Sequence, residues 1–454
     1  MSEEKEKVVI ETETVLTALE NEDFDGFRSL FLEQHPYDQA KMFVKLEQEE
    51  RSRVYQYLSP EEMAALFENI EDEEYNYEMY LSEMDPRFAS QMLEHMYADD
   101  AVDVLNELNK DQVASYLTIM DDEAAKEIRE LLHYEEFTAG SIMTTEFIAI
   151  QANQTVKSAM HILKHEAPDA ETIYYLYVID EDKHLAGVIS LRDLIVSDDD
   201  VMIGEIMSER VFSVSVGEDQ EEVARKMRDY NFLALPVVDF QNHLLGIITV
   251  DDIVDVIDEE ASDDYSKLAG VSDVDSIDRG PLSAAKKRLP WLVILLFLGM
   301  LTANLIGQFE ETLDKVAILA VFIPLIAGMA GNTGTQALAV AVRRIAMGDE
   351  EEGNFKIIAR EAGTGLINGA VCGVLVTGVV YFWKHDLYLG LLVGLSILAT
   401  LTVATIAGAF VPLIMHRLKV DPAVASGPFI TTINDIISIL IYFGMATMFM
   451  QYLI

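Results

Sequence analysis

The sequence predicts a multidomain protein: an all-α helical solenoid, a duplicated α/β unit, an amphipathic connecting helix and an all-α polytopic membrane domain with five transmembrane helices. Three observations carry this. Charge and hydrophobicity are segregated along the 454 residues; a helical repeat and a duplicated α/β segment fill the acidic part; and five long apolar runs fill the remainder.

The formal net charge is −46, although half of the residues are apolar. Of the 32 basic and 78 acidic residues, 11 of each lie from Pro281 onward, so the whole net charge falls on residues 1–280. That part reads as a soluble acidic region, and the rest as a region built for lipid. A surface so acidic repels nucleic acid and anionic headgroups and attracts cations, which excludes a nucleic-acid partner. The single cysteine, Cys372, excludes an intrachain disulfide, suits a reducing compartment and reads as a small buried hydrophobe. Met1 to Thr14 is charged and lacks the apolar core of a signal peptide.

Residues 15–135 carry short helical units. Ser59-Pro60-Glu61-Glu62 starts one, with Ser59 as N-cap, Pro60 in the first turn and Glu62 closing a capping box; Asp85-Pro86 starts another. Between Tyr97 and Leu132 the pattern repeats every twelve residues: Ala101, Val113 and Ala125; Val104, Tyr116 and Ile128; Leu108, Met120 and Leu132. Two-turn helices cannot bury a face alone, so they stack as a solenoid.

Residues 138–258 hold two similar segments, Ile142-Met143-Thr144 through Gly187-Val188-Ile189-Ser190 to Asp193, and Ile206-Met207-Ser208 through Gly246-Ile247-Ile248-Thr249 to Asp252. Each reads strand, helix, strand, turn, strand, helix. This pattern, with its repeated ending of glycine, two aliphatics, Ser or Thr, and an Asp three residues on, resembles a tandem CBS pair. The resemblance implies a regulatory module of a kind that binds adenine nucleotides or ions. It points to Asp193 or Asp252 as a ribose ligand, although either aspartate equally suits capping its helix.

From Asp251 to Asp264 the chain carries eight carboxylates, at 251, 252, 255, 258, 259, 260, 263 and 264, and no basic residue before Lys267. Val250, Ile253, Val254, Ile257 and Ala261 share one helical face, so an amphipathic helix is predicted. At this density like charges repel, and hard divalent cations bridging carboxylate pairs relieve the repulsion. A polar linker, Ser272 to Gly280, then leads into the first apolar run.

The spans are predicted at about 289–309, 316–341, 362–383, 387–415 and 428–453, the third and fourth forming a hairpin about Lys384-His385-Asp386. Lys286, Lys287, Arg288, Arg343, Arg344, Lys356, Arg360, Arg417 and Lys419 fall on one side, and only Lys315 and Lys384 on the other. The positive-inside rule places the N-terminal domains in the cytosol and the C-terminus outside. Asp435 is the one charged residue within these spans. A carboxylate there costs about 2.5–3.5 kcal/mol on insertion scales, so it reads as a cation site on a transport path, with Asn434 adding a neutral oxygen. In the second span Pro324, Gly328, Gly331 and Gly334 permit close approach or a break, and Asn332, Thr333, Thr335 and Gln336 need protein or water beside them. Gly328, Gly331, Asn332, Thr333 and Gln336 are therefore candidate pore-lining residues, against a plain packing stripe.

The stretch Pro324–Gln336, the segment Asp421-Pro422, Ser426-Gly427-Pro428, Asp435, the span count and the domain order together resemble the MgtE family of magnesium channels, over essentially the whole chain. The resemblance implies units at 1–137 (acidic helical N domain), 138–200 and 201–258 (the CBS repeats), 250–284 (acidic connecting helix and linker) and 285–454 (five-span domain). It implies a homodimer in the cell membrane with the pore at the dimer interface and Asp435 as its aspartate, taking hydrated Mg2+. It further implies regulatory Mg2+ ligands at Asp219, Glu221, Asp252, Asp255, Glu260, Asp263 and Asp264, with Asp99 or Asp100 from the N domain. Asn231 stands where a carboxylate is expected. Tyr175, Arg192 and Asp193 fall at positions suited to ATP or another adenine nucleotide. Feedback follows as an expectation: ions bridging these surfaces close the pore. Two rivals are a coupled secondary transporter of another divalent metal such as cobalt, and a membrane-anchored CBS ion or nucleotide sensor. Enzymatic function has little support, since the nine histidines and one cysteine form no metal-ligand or triad spacing and no phosphate loop appears.

Overall fold

The structure is a computed structural model that describes residues 14–70, 77–168, 170–271, 280–346, 354–422 and 427–450. The expected polar linker over 272–279, the leader reading of the first thirteen residues, and Ser426 lie outside them. The chain divides into two compact units, Met1–Asp258 and Glu259–Ile454.

In the first unit, short helices follow one another with few intervening residues: α1 (Phe24–Leu32), α2 (Pro36–Phe43), α3 (Gln48–Tyr57), α4 (Pro60–Phe67), α5 (Tyr77–Glu83), α6 (Pro86–His95), α7 (Ala98–Asn106), α8 (Lys110–Ile119) and α9 (Asp122–Leu131). Their starts are written in the sequence. Ser59 Oγ accepts from Glu62 N–H while the Glu62 carboxylate accepts from Ser59 N–H, and Asp85 accepts from Arg87 N–H. Alternate helices pack together, α2 on α4, α4 on α6, α6 on α8, and α7 on α9, as a solenoid requires. The twelve-residue repeat is the core: Ala101, Val104, Met120, Ala125 and Ile128 are buried, and Leu108, Val113, Tyr116 and Leu132 pack against them.

Two α/β repeats follow. The first contains β1 (Ala149–Gln151), α10 (Val156–Glu166), β2 (Tyr175–Ile179), β3 (Leu185–Ser190) and α11 (Leu191–Val196). After the four-residue helix α12 (Ile203–Ile206), the second contains β4 (Val214–Ser215), α13 (Gln220–Tyr230), β5 (Ala234–Val238), β6 (Leu244–Thr249) and α14 (Val250–Ala269). Each forms a three-stranded sheet with its first pair parallel and its second antiparallel. The leading segment of each repeat joins the other: Thr144 bridges Ile247 and Thr138 bridges Asp219, while Ser208 bridges Val188 and Met202 bridges Thr155. This exchange makes the two repeats one body. The solenoid shares its core with the second repeat, through Val214, Leu235, Val237 and Ile248, whereas the first repeat closes around Ile148, Ile150, Leu176, Val178 and Ile189.

The predicted connecting helix forms as α14, with its apolar face only partly covered. Ile253 and Val256 are buried, but Val250, Val254 and Ile257 are exposed, and Thr249 and Asp252 cap the start of the helix.

In the second unit, five helices are long and apolar enough to cross a membrane: Ala284–Gly307, Ala317–Ala346, Phe355–Lys384, Leu387–Arg417 and Gly427–Phe449. They belong to α15 (Pro281–Gly307), a 3-10 turn with α17 (Ile323–Ala346), α18 (Asn354–Lys384), α19 (Leu387–Arg417) and α20 (Gly427–Phe449); the short α16 (Glu310–Lys315) joins the first two spans. The hairpin α18–α19 turns at His385, whose φ is 57°, and Asp386 caps α19 by accepting from Leu389 N–H. Its helices touch backbone to backbone: a Cβ on Gly373 would lie 2.6 Å from the Gly394 carbonyl oxygen. In the described part α15 buries none of its apolar window and packs chiefly beside α20.

Candidate cation sites

The N-terminal turn of α7 organises a group of carboxylates within the first unit. Its free backbone N–H groups attract anions. Tyr97 N–H donates to Glu68 at 3.1 Å, and Ala98 N–H donates to Glu146 at 3.1 Å. Asp99 and Asp100 occupy the first turn itself. Glu146 is held from its own loop by Thr144 Oγ1 at 2.5 Å, and the Glu171 N–H donates to the Glu146 carbonyl. Asp252 arrives from the start of α14, accepting from Thr249 Oγ1 at 2.6 Å.

These groups share a field of like charge. Burial first, then Asp100, Asp252, Glu146 and Glu171, holds the Asp99 carboxyl well above the usual carboxylate range. Burial, Glu68 and Asp252 push Asp100 up to about 8. Burial, Asp252 and Asp251 push Glu171 up to about 8. Burial raises Asp252 against the lowering effect of Thr249, and raises Glu68 against the Tyr97 N–H. Asp99 Oδ1 and Glu171 Oε2 are buried without a hydrogen-bond partner. Among the described residues no three such groups stand close enough to hold one bare ion. Carboxylates spaced in this way suit cations that keep their water, bridged through it.

The sequence left Asp99 and Asp100 as alternatives; the structure turns both into this group, with Asp252. Glu68, Glu146 and Glu171 were missed, because they lie at a helix end and in two loops, where no periodicity marks a shared direction. Asp255 acts on Asp252 from an exposed position one turn along α14. Asp219 and Glu221 are not brought into the group: Asp219 caps α13, accepting from Glu221 N–H and Glu222 N–H, and Glu221 is exposed beside it. Asn231 closes the same helix with φ 55° and ψ 43°, a left-handed C-cap that asparagine tolerates well.

The far end of α14 lies in the second unit. Glu260, Asp263 and Asp264 are half-buried there. Asp263 pairs with Lys267, which also reaches Asp421, and burial with Asp421 nearby raises Asp264.

Within the spans, the second splits the candidate pore residues between two faces. Gly328, Asn332 and Gln336 lie exposed on one face, and nothing stands within 4 Å of a Cβ built on Gly328. Gly331 and Thr333 are buried, with Gly331 against Thr431. Asp435 is half-buried on α20, and Ser438 Oγ donates to its carbonyl. Asn434 turns inward, 1 % exposed, against Gly334 of α17, with both amide atoms unpaired.

In the first CBS-like repeat, Tyr175 pairs with Ser190 across the β2–β3 ladder, and Ser190 Oγ donates to Asp193 at 2.6 Å at the start of α11. Arg192 is exposed alongside, so the three candidate nucleotide residues gather at one sheet edge.

A multi-span membrane protein with an acidic, CBS-containing extramembrane region is the class this architecture defines. Family models agree segment by segment: an MgtE intracellular N domain over residues 34–137, CBS domains over 139–199 and 203–259, and the MgtE divalent cation transporter domain over 323–445. A magnesium transporter MgtE from Enterococcus faecalis is 55 % identical over 441 residues, covering 97 % of each chain, and one from Bacillus subtilis is 40 % identical, covering 96 % of this chain and 97 % of its own. A crystal structure of the soluble part of a magnesium transporter matches with a TM-score of 0.55 at 55 % identity, covering 56 % of this chain and 99 % of the other. The cytosolic domain of the Mg2+ channel MgtE in complex with ATP matches with a TM-score of 0.50 at 38 % identity, covering 54 % and 99 %. The chain belongs to the MgtE family of divalent cation transporters, and it is not an enzyme.

Proposed function

We propose that this chain conducts magnesium across the cell membrane and closes as cytosolic magnesium rises. The observation that carries the reading is the carboxylate group around Asp99, Asp100, Glu171 and Asp252, which the fold assembles at the cost of mutual repulsion. Proteins do not gather such charges without a counter-ion or a proton. Hydrated magnesium bound there would hold the solenoid, the CBS pair and the start of α14 in one arrangement; its loss would release them. By linkage the closed state then binds more ions than the open one. Asp435 supplies the charge for the conducted ion, with Gly328, Asn332 and Gln336 facing the path. Glu260, Asp263 and Asp264, on the later turns of α14, supply further carboxylates for magnesium in the second unit.

The full-length likeness to magnesium transporters favours this cargo over cobalt. Coupled transport would ordinarily need more intramembrane ionisable groups than Asp435 alone. The exposed faces of α15 and α17 support a homodimer with the pore between copies. The bias of basic residues supports a cytosolic N-terminus and an external C-terminus. The edge formed by Tyr175, Arg192 and Asp193 supports ATP as a ligand, as in the ATP complex of the related cytosolic domain.

The test is magnesium flux in proteoliposomes, comparing the parent with Asp435→Ala at low and high magnesium on the cytosolic face. Flux that falls at least tenfold in the variant, and falls in the parent as cytosolic magnesium rises, supports both parts. Flux unchanged by Asp435→Ala removes the pore assignment, and flux indifferent to cytosolic magnesium removes the feedback.

A further inference from the structure

Lys267 is the first basic residue after the eight-carboxylate run of α14. Its ammonium reaches both Asp263, one turn back on the same helix, and Asp421, in the segment between α19 and α20. Asp264 adds a third carboxylate, and Arg343, at the end of α17, also acts on it. Carboxylates of two elements, Asp263 and Asp264 from α14 and Asp421 from the α19–α20 segment, therefore meet at Lys267. Lys267 is hydrogen-bonded to carboxylates of both elements. An ammonium has three donors, so two carboxylates leave one for water, and Lys267 is about a third exposed. A lysine ammonium is charged at physiological pH, and here it lies between two carboxylates.

We propose that Lys267 is a built-in counter-ion that ties the C-terminal end of α14 to the α19–α20 segment and thereby sets the magnesium concentration at which the pore closes. This rests on the feedback reading above. The charge is covalently attached, so its local concentration does not vary with the cell's ion content. It neutralises a fixed share of the carboxylates, and mobile divalent ions need supply only the remainder. Without it, closure must draw all of that neutralisation from solution.

The experiment measures flux in proteoliposomes of the full chain against cytosolic magnesium for the parent, Lys267→Met, Lys267→Arg and Asp421→Asn, and for Lys267→Met combined with Asp421→Asn. Lys267→Met should match parent flux at the lowest magnesium, which also shows that it folds, and should raise the half-closing concentration about fivefold, the order expected for a partly exposed ion pair. Lys267→Arg should stay within about twofold of the parent. In the Asp421→Asn background, Lys267→Met should add much less than it does alone, because the two residues act as one pair. An unchanged half-closing concentration in Lys267→Met overturns the proposal. So does a lowered one, which would make the ammonium a competitor of magnesium. A parent that magnesium does not close takes down the feedback reading and this one together, whereas a parent that magnesium closes, with the same or a lower half-closing concentration in Lys267→Met, takes down this one alone.

Discussion

Asp100 and Glu171, each pushed up to about 8, carry protons that ordinary carboxylates lose some four pH units lower. Between the ordinary carboxylate range and about pH 8 the folded protein therefore holds more protons than the unfolded chain. Stability must fall as pH rises through that window. In magnesium-free buffer the melting temperature of the cytosolic transition should decline from pH 5 to pH 8.5, and saturating magnesium should flatten the decline by taking over the protons' role. A melting temperature that climbs with pH without magnesium contradicts this. Binding should also release protons, measurable as a buffer-dependent heat. At this scale the sequence was half legible. A lone aspartate in an apolar span and a run of carboxylates on a helix can be seen by eye, and Asp435 and Asp252 were read in that way. Glu68 and Glu146 enter the group through backbone N–H groups at the start of α7, and Glu171 through its own N–H bonded to the Glu146 carbonyl, directions set by tertiary folding that leave no periodic trace.

Helices show the same division between local signals and tertiary ones. The capping box at Ser59 was legible, since both halves lie within four residues. Glu62, however, also takes a bidentate contact from Arg28 at 2.6 and 2.8 Å, which no local pattern announces. Ser59→Ala should cost about 1 kcal/mol of stability, and Glu62→Ala should cost more, as read from the first unfolding transition of the detergent-solubilised chain in urea. Equal effects would mean that Arg28 contributes nothing. The hairpin α18–α19 was foreseen from its three-residue turn, but its tight crossing was not. Gly373 meets the backbone of Gly394, which cannot retreat as a side chain can. Gly373→Val should destabilise the membrane domain by about 1–3 kcal/mol or more, seen as a lowered melting temperature in detergent. The predicted helix α14 forms, but its apolar face is only partly covered in the first unit. Thr249 and Asp252 cap its start, Ile253 and Val256 are buried, and Val250, Val254 and Ile257 stay exposed.

For the molecule as a whole, the order of domains and the number of spans were legible, because charge segregation and apolar run length are summed over many residues and tolerate local errors. The exchange of leading segments between the two α/β repeats was not, since Thr144 and Ile247 meet across about a hundred residues of chain. Orientation is testable with Cys372→Ala as background. Lys384→Cys should react with an impermeant maleimide on intact cells, and Arg417→Cys only after permeabilisation. The reverse pattern would invert the membrane topology. The carboxylate group has a consequence for biosynthesis. All of its members, from Glu68 to Asp252, are translated before the first span begins at Ala284. With N-terminal parts folding first, the sensing half takes its shape while the membrane half is still being made. A cell starved of magnesium would then fold that half against its own repulsion, so ion supply would govern how well each new copy matures before that copy has moved any ion.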